Sequence, residues 1–243
     1  MASGFDHFYS SWLDQLPQLV HQLSAAAPKP PNDASSHHID AAAAGAADSR
    51  DHDHLTHLVN KFMSHYAEYY RVKALATEQD VLSVVAAPWT TALERSLHWI
   101  AGWRPTMVFH LVYTESSILF ESHIVDILQG VRTGDLGDLS PTQFRRVSEL
   151  QCDTVREENA ITEEMSQWQD GALELVVAAA APDMEAKIGQ LAAVVKKADD
   201  LRLKTVRSVV DLLTPQQAAE FLVAAAELQF GIRAWGLCQE GSR

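Results

Sequence analysis

The chain has 243 residues, 47% of them hydrophobic and 21% charged, which suits one large or two small domains able to bury a core. Its net charge of −13 repels phosphate backbones, and between residues 1 and 60 only Lys29 and Arg50 add positive charge besides the histidines, so no direct nucleic-acid binding is expected. Two cysteines, Cys152 and Cys238, with no Cys-x-x-Cys pair, argue against a disulfide scaffold and point to a reducing compartment, nucleus or cytoplasm.

In chain order, Phe5, Phe8, Tyr9, Trp12, Leu13, Leu16, Val20 and Leu23 recur at spacings of three and four, which predicts an amphipathic helix within residues 1–24. Residues 25–50 are rich in Ala, Pro, Ser and Asp without periodicity and read as a flexible linker. A helical domain then occupies 51–237, followed by a short tail at 238–243. Its first helix is predicted from about His54 to Glu78, with Leu58, Phe62, His65, Tyr66 and Tyr69 on one face. Pro88 breaks the pattern, Thr90 or Thr91 caps a short helix ending near Gly102, and Pro105 opens another over 106–130.

The later helix starts are more legible. "SPTQ" (140–143) and "TPQQ" (214–217) each place a hydroxyl at the N-cap, proline at the first helical position and glutamine at the capping-box position. The first opens a long helix to about Ala178, Asp183 begins one running to about Leu213, and Thr214 opens the last. No alternating strand pattern competes, so the expected fold is all-α: a multi-helix bundle with long antiparallel helices. Neither a basic-then-apolar leader nor a bilayer-length apolar run stands out, so neither secretion nor a membrane partner is expected.

Catalytic and metal chemistry finds little support. "DHDHLTH" offers His52, His54 and His57 without the further ligands that a structural metal site needs, and they read as exposed histidines. No Glu-x-x-His motif of a di-iron bundle occurs, and the glutamates of "REENAITEE" read as a solvated face. There is no Gly-x-Ser-x-Gly elbow, phosphate loop or dinucleotide fingerprint, so no catalytic residue and no metal are assigned and the chain is not expected to be an enzyme.

The most unusual stretch is "ERSLHWIAGWRP" (94–105), with Trp89 just upstream. Read as a helix, it makes Glu94 and His98 neighbours one turn apart among Trp89, Trp99 and Trp103, with Arg104 and Pro105 closing it. A guanidinium can stack on indole while a carboxylate holds it, which makes a structural cluster joining two helices or, alternatively, a ligand or partner pocket. The first helix has two readings as well: docking on its own core, or entering a partner's groove through its aromatic stripe.

Four stretches together resemble the plant Delay of Germination domain, which also forms the C-terminal part of TGA-type bZIP transcription factors. They are "HFYSSWLDQLPQLVHQL" (7–23), "WTTALERSLHWIAGWRPTMVFHLVY" (89–113), "LGDLSPTQFRRVSELQCDTVREENAITEEMSQWQD" (136–170) and "LTPQQAAEFLVAAAELQFGIRAWG" (213–236). The resemblance implies a non-enzymatic regulatory domain, and without a basic region and zipper ahead of it the chain is most similar to the stand-alone members. It implies roles in seed dormancy, abscisic-acid signalling or developmental control, exercised through protein partners such as protein phosphatases or TGA-type factors. The family's phosphatase contact falls on Phe8, Tyr9, Ser11 and Trp12 of this chain. The family's haem histidines fall on Gln229 and Arg233, which lack the imidazole that axial ligation uses, so no haem is expected there. An apolar small-molecule sensor, or indirect DNA association through a TGA-type partner, are the alternatives. The oligomeric state is left open.

Overall fold

The computed structural model describes residues 4–27, 41–177 and 181–242, with side chains described from 51 and from 184 onward in the last two stretches. Among the described residues all regular structure is helical: α1 (Gly4–Ala26), α2 (Ala41–Ala86), α3 (Ala92–Ser96), α4 (Met107–Ser122), α5 (Ile124–Leu128), α6 (Pro141–Val177), α7 (Ala181–Leu212) and α8 (Pro215–Gly241), with one 3-10 turn at Leu136–Asp138. The all-α expectation holds.

α1 forms because its apolar residues fall on one stripe. Phe5, Tyr9, Trp12, Leu16 and Leu23 are buried against α2 and α8. Pro17 sits on the exposed side of this helix, where the carbonyl it leaves unpaired can face water. The helix therefore docks on its own bundle. α2 begins at Ala41, inside the stretch expected to be linker, and the linker positions 28–40 lie outside the described residues. It runs past Glu78 to a break at Asp80, whose extended backbone (φ −155°, ψ 84°) lets its carboxylate accept from the Ser83 amide at 3.0 Å and start the helix anew.

α6 and α7 form the long antiparallel hairpin. Contacts descend along one helix as they climb the other: Trp168 donates to the Lys187 carbonyl, Lys197 to Glu164, and Lys204 to Glu157. The expected helix over 106–130 is two helices, because the backbone of His123 leaves the α-region and α5 starts afresh. α8 reaches Gly241, so the expected tail at 238–243 is largely its last turn. Its length and apolar composition would allow a membrane span, yet in this fold it is the hub against which α1, α2, α3 and α4 pack.

Both proline-containing capping boxes form. Ser140 and Gln143 exchange hydrogen bonds at 3.2 and 3.0 Å, and Thr214 and Gln217 at 3.3 and 3.0 Å. The two boxes also meet. Gln143 Nε2 donates to Gln217 Oε1 at 2.7 Å, and Gln217 Nε2 donates to the Asp135 carbonyl at 3.0 Å. Two helix N-termini that are far apart in sequence are thus joined through the residues that cap them.

Candidate functional site

The tryptophan-rich stretch is mostly loop. α3 is short, capped by a full box between Thr91 and Glu94, and ends at Ser96. The sequence expectation of a helix to Gly102, with Glu94 and His98 one turn apart on it, is therefore corrected. Ile100 and Ala101 adopt left-handed backbone (φ 46° and 59°), and Trp99 N donates to Gly102 O at 2.6 Å to close a tight turn. A left-handed residue with a side chain costs about 1–2 kcal/mol, so other contacts must hold this turn in place.

Two buried cations do so. The Arg202 guanidinium on α7 donates to the carbonyls of Trp99, Ile100 (2.9 Å) and Trp103 (2.6 Å), and Lys73 on α2 donates to that of Ala101 at 2.7 Å. Both cations share Asp199 Oδ1, at 2.9 Å from Lys73 and 2.6 Å from Arg202. Two positive charges on one carboxylate leave an excess that the loop's carbonyl dipoles offset. Burial lowers the Lys73 pKa to about 8, with Asp199 opposing the fall and Arg202 adding to it. Gly102 packs against the guanidinium so tightly that a Cβ there would lie 3.0 Å from Arg202 Cζ.

A second staple fixes the far end of the loop. Glu158 on α6 is fully buried and accepts from Arg104 Nε at 2.8 Å, from Thr106 N at 2.6 Å and from Thr106 Oγ1 at 3.2 Å. The Trp99 indole donates to Thr162 one turn along the same helix and stacks over Arg202. Pro105 is buried at the entrance to α4. Trp89 instead meets Phe5 of α1 edge-on, with ring centroids 4.6 Å apart. Thus Trp99 and Arg104 face the α6–α7 hairpin, while Trp89 and Glu94 face α1 and α8.

On α8, Gln229 and Arg233 are engaged with neighbouring helices. Tyr66 donates to Gln229 Oε1 at 3.0 Å, and the Arg233 guanidinium lies over the Tyr9 ring and 3.4 Å from Glu94. With no imidazole at either position, these residues do not fit an axial haem ligand set. The Tyr9 pKa is pushed up to about 12, chiefly by burial. Trp12 stacks on His65, and each donates or presents a ring nitrogen to the other's carbonyl, at 2.9 and 3.0 Å. Of the four α1 residues singled out for partner contact, Tyr9 and Trp12 point inward, Phe8 is half-buried and Ser11 is exposed.

Between α1, α2, the loop, α4 and α8 lies a cavity of about 240 Å³, walled by rings that include Tyr9, Trp12, Trp89, Trp103 and Phe221. Sequence reasoning marked several of these residues and gave a ligand or partner pocket as the alternative to a structural cluster. It did not single out Lys73, Asp199 or Arg202, and it read Glu158, within "REENAITEE", as part of a solvated face, which its full burial corrects. The one available signal was that Lys73 and Asp199 interrupt otherwise apolar helix faces. His52, His54 and His57 are exposed, and no cluster of metal-ligating residues forms among the described residues.

A family profile described as seed dormancy control matches residues 15–114. Protein DOG1-like 4 of Arabidopsis thaliana is 30% identical over 250 residues, spanning 96% of this chain and 91% of its own length. Transcription factor HBP-1b(c1) of Triticum aestivum is 25% identical across 96% of this chain and 44% of its own length. Transcription factor TGA2.3 of Oryza sativa subsp. japonica is 24% identical across 96% of this chain and 64% of its own length. The identity to DOG1-like 4 over nearly the whole of both chains shows that the chain belongs to the DOG1-like family, with TGA-type transcription factors as distant relatives.

Proposed function

We propose that the chain is a non-enzymatic regulatory protein that works through protein–protein contacts, in transcription-linked or hormone-linked control such as seed dormancy, abscisic-acid signalling or development. One observation carries this reading: Lys73, Asp199, Arg202 and Glu158, the buried charged groups nearest the signature loop, are engaged with its backbone and with each other. They act as scaffold and leave the outer faces of the helices to do the recognition. The family's seed-dormancy description and the transcription factors among the relatives support a regulatory role in the nucleus. Partners would be protein phosphatases or TGA-type factors, the latter bringing the chain to DNA indirectly.

Binding of the full chain to purified phosphatase and to a TGA-type factor tests the reading. Because α1 supplies core residues, the contact is probed at its exposed Ser11 rather than by truncation. Ser11→Arg is expected to weaken phosphatase binding at an unchanged melting temperature. No binding to either class of partner would overturn the proposal.

The cavity favours a second reading, in which the bundle senses a small apolar molecule. Protein purified under native conditions would then release a stoichiometric compound to mass spectrometry. Its visible spectrum is expected to lack haem absorption, since Gln229 and Arg233 supply no axial ligand.

A further inference from the structure

The walls of the cavity specify more than apolarity. We infer that it selects a small uncharged ring compound carrying a hydroxyl or amide group, and rejects anionic molecules of the same shape. This rests on the sensor reading of the cavity and goes one step further, to the ligand's chemical class.

Size comes first. A cavity of 150 Å³ in an engineered protein holds benzene, so about 240 Å³ accommodates roughly ten heavy atoms. That excludes a macrocycle and a fully enclosed long acyl chain. Aromatic faces line the space on several sides, which favours a flat ring body over a flexible chain.

Charge comes next. Glu94 is the one formally charged side chain among the described residues lining the cavity. It accepts from the Thr91 amide at 2.7 Å and pairs with Arg233 at 3.4 Å, so neither is free to neutralise a charged ligand. Lys73 and Arg202 are engaged with loop carbonyls and Asp199. A carboxylate ligand would therefore leave water for a low-dielectric space without a free cation to pair with, and a cationic ligand without a free carboxylate.

The hydrogen-bonding group is His98. Its ring lines the cavity, and no hydrogen bond among the described residues engages its ring nitrogens. Burial, reinforced by Lys73 and Arg202, lowers its pKa to about 4, so at neutral pH it is an uncharged imidazole with one donor and one acceptor. A route inward exists as well. Leu97, Met107 and Leu228 line the cavity, yet they are 56%, 47% and 44% exposed and form an apolar mouth.

Isothermal titration of the full chain at pH 7 with phenol and with the isosteric pair benzamide and benzoate tests the inference. Phenol and benzamide are expected to bind, with benzoate at least about tenfold weaker. His98→Leu should weaken phenol binding about tenfold, and Ala225→Leu, which fills the cavity, should abolish binding with little change in melting temperature. Equal affinity for benzamide and benzoate would overturn the charge selection while leaving the sensor reading intact. No binding by any probe, or binding unaffected by Ala225→Leu, would overturn both. Unchanged phenol affinity in His98→Leu would remove His98 from the proposal.

Discussion

Gly102 lies flat against the Arg202 guanidinium, with only 3.0 Å between the place where a Cβ would sit and Arg202 Cζ. The guanidinium cannot retreat, because three loop carbonyls and Asp199 hold it from other sides. Gly102→Ala is therefore expected to lower stability by about 1–3 kcal/mol, the usual range for overpacking a tight interior. Chemical denaturation measures it. A loss below half a kcal/mol would show that the loop can shift without losing its contacts to Arg202.

Glu158 gives a prediction that separates charge from hydrogen bonding. Its carboxylate accepts from the Thr106 amide and from Arg104, but the Arg104 side chain is 49% exposed and can turn to water once its partner is gone. What Glu158→Ala strands is the Thr106 amide, so the expected loss is about 2 kcal/mol rather than that of a fully buried broken pair. Glu158→Gln keeps an acceptor for that amide and should lose clearly less. Equal losses in urea unfolding would assign the stabilisation to the charge itself.

These two sites mark where the sequence stops being legible. The capping boxes at Ser140 and Thr214 were readable because capping is local: hydroxyl, proline and glutamine sit within four residues. The stripe of α1 was readable for the same reason. The loop after Ser96 was not, since "LERSLHWIAGW" has acceptable helical spacing and what unwinds it is a pair of cations. Arg202 lies about a hundred positions away and Lys73 on another helix. Glu158 was hidden in a run of acidic residues whose other members mostly do face water, and only the packing of Thr106 against α6 singles it out. The cavity is a property of several chain segments together, and no local pattern encodes it.

The meeting of the two capping boxes is open to a double-mutant cycle. Gln143→Ala and Gln217→Ala each remove a cap and also the 2.7 Å bond between the two side chains. If the boxes are coupled, the double variant loses less than the sum of the singles, by about 1 kcal/mol. Strict additivity would mean that the two helix starts are stabilised independently. Gln217 is the buried partner and also reaches the Asp135 carbonyl, so its single variant should be the more damaging.

The stability of the fold should also respond to mild acid, through histidines. The His98 pKa is lowered to about 4 from its ordinary 6.5, mainly by burial, and that of His65 is lowered by burial as well, with its contact to the Trp12 carbonyl opposing. Between pH 6.5 and 4 the unfolded chain takes up a proton at His98 while the folded chain does not, and His65 acts in the same direction, so stability falls as pH drops through that window. Carboxylates shared by all variants add a background slope. The prediction is therefore comparative: in His98→Asn, which cannot titrate, the melting temperature should fall less steeply between pH 6.5 and 4 than in the parent chain. Parallel curves for the two proteins would show that the His98 imidazole is solvated enough to protonate freely in the folded state. The partial exposure of its side chain reduces the size of the difference and leaves its sign unchanged.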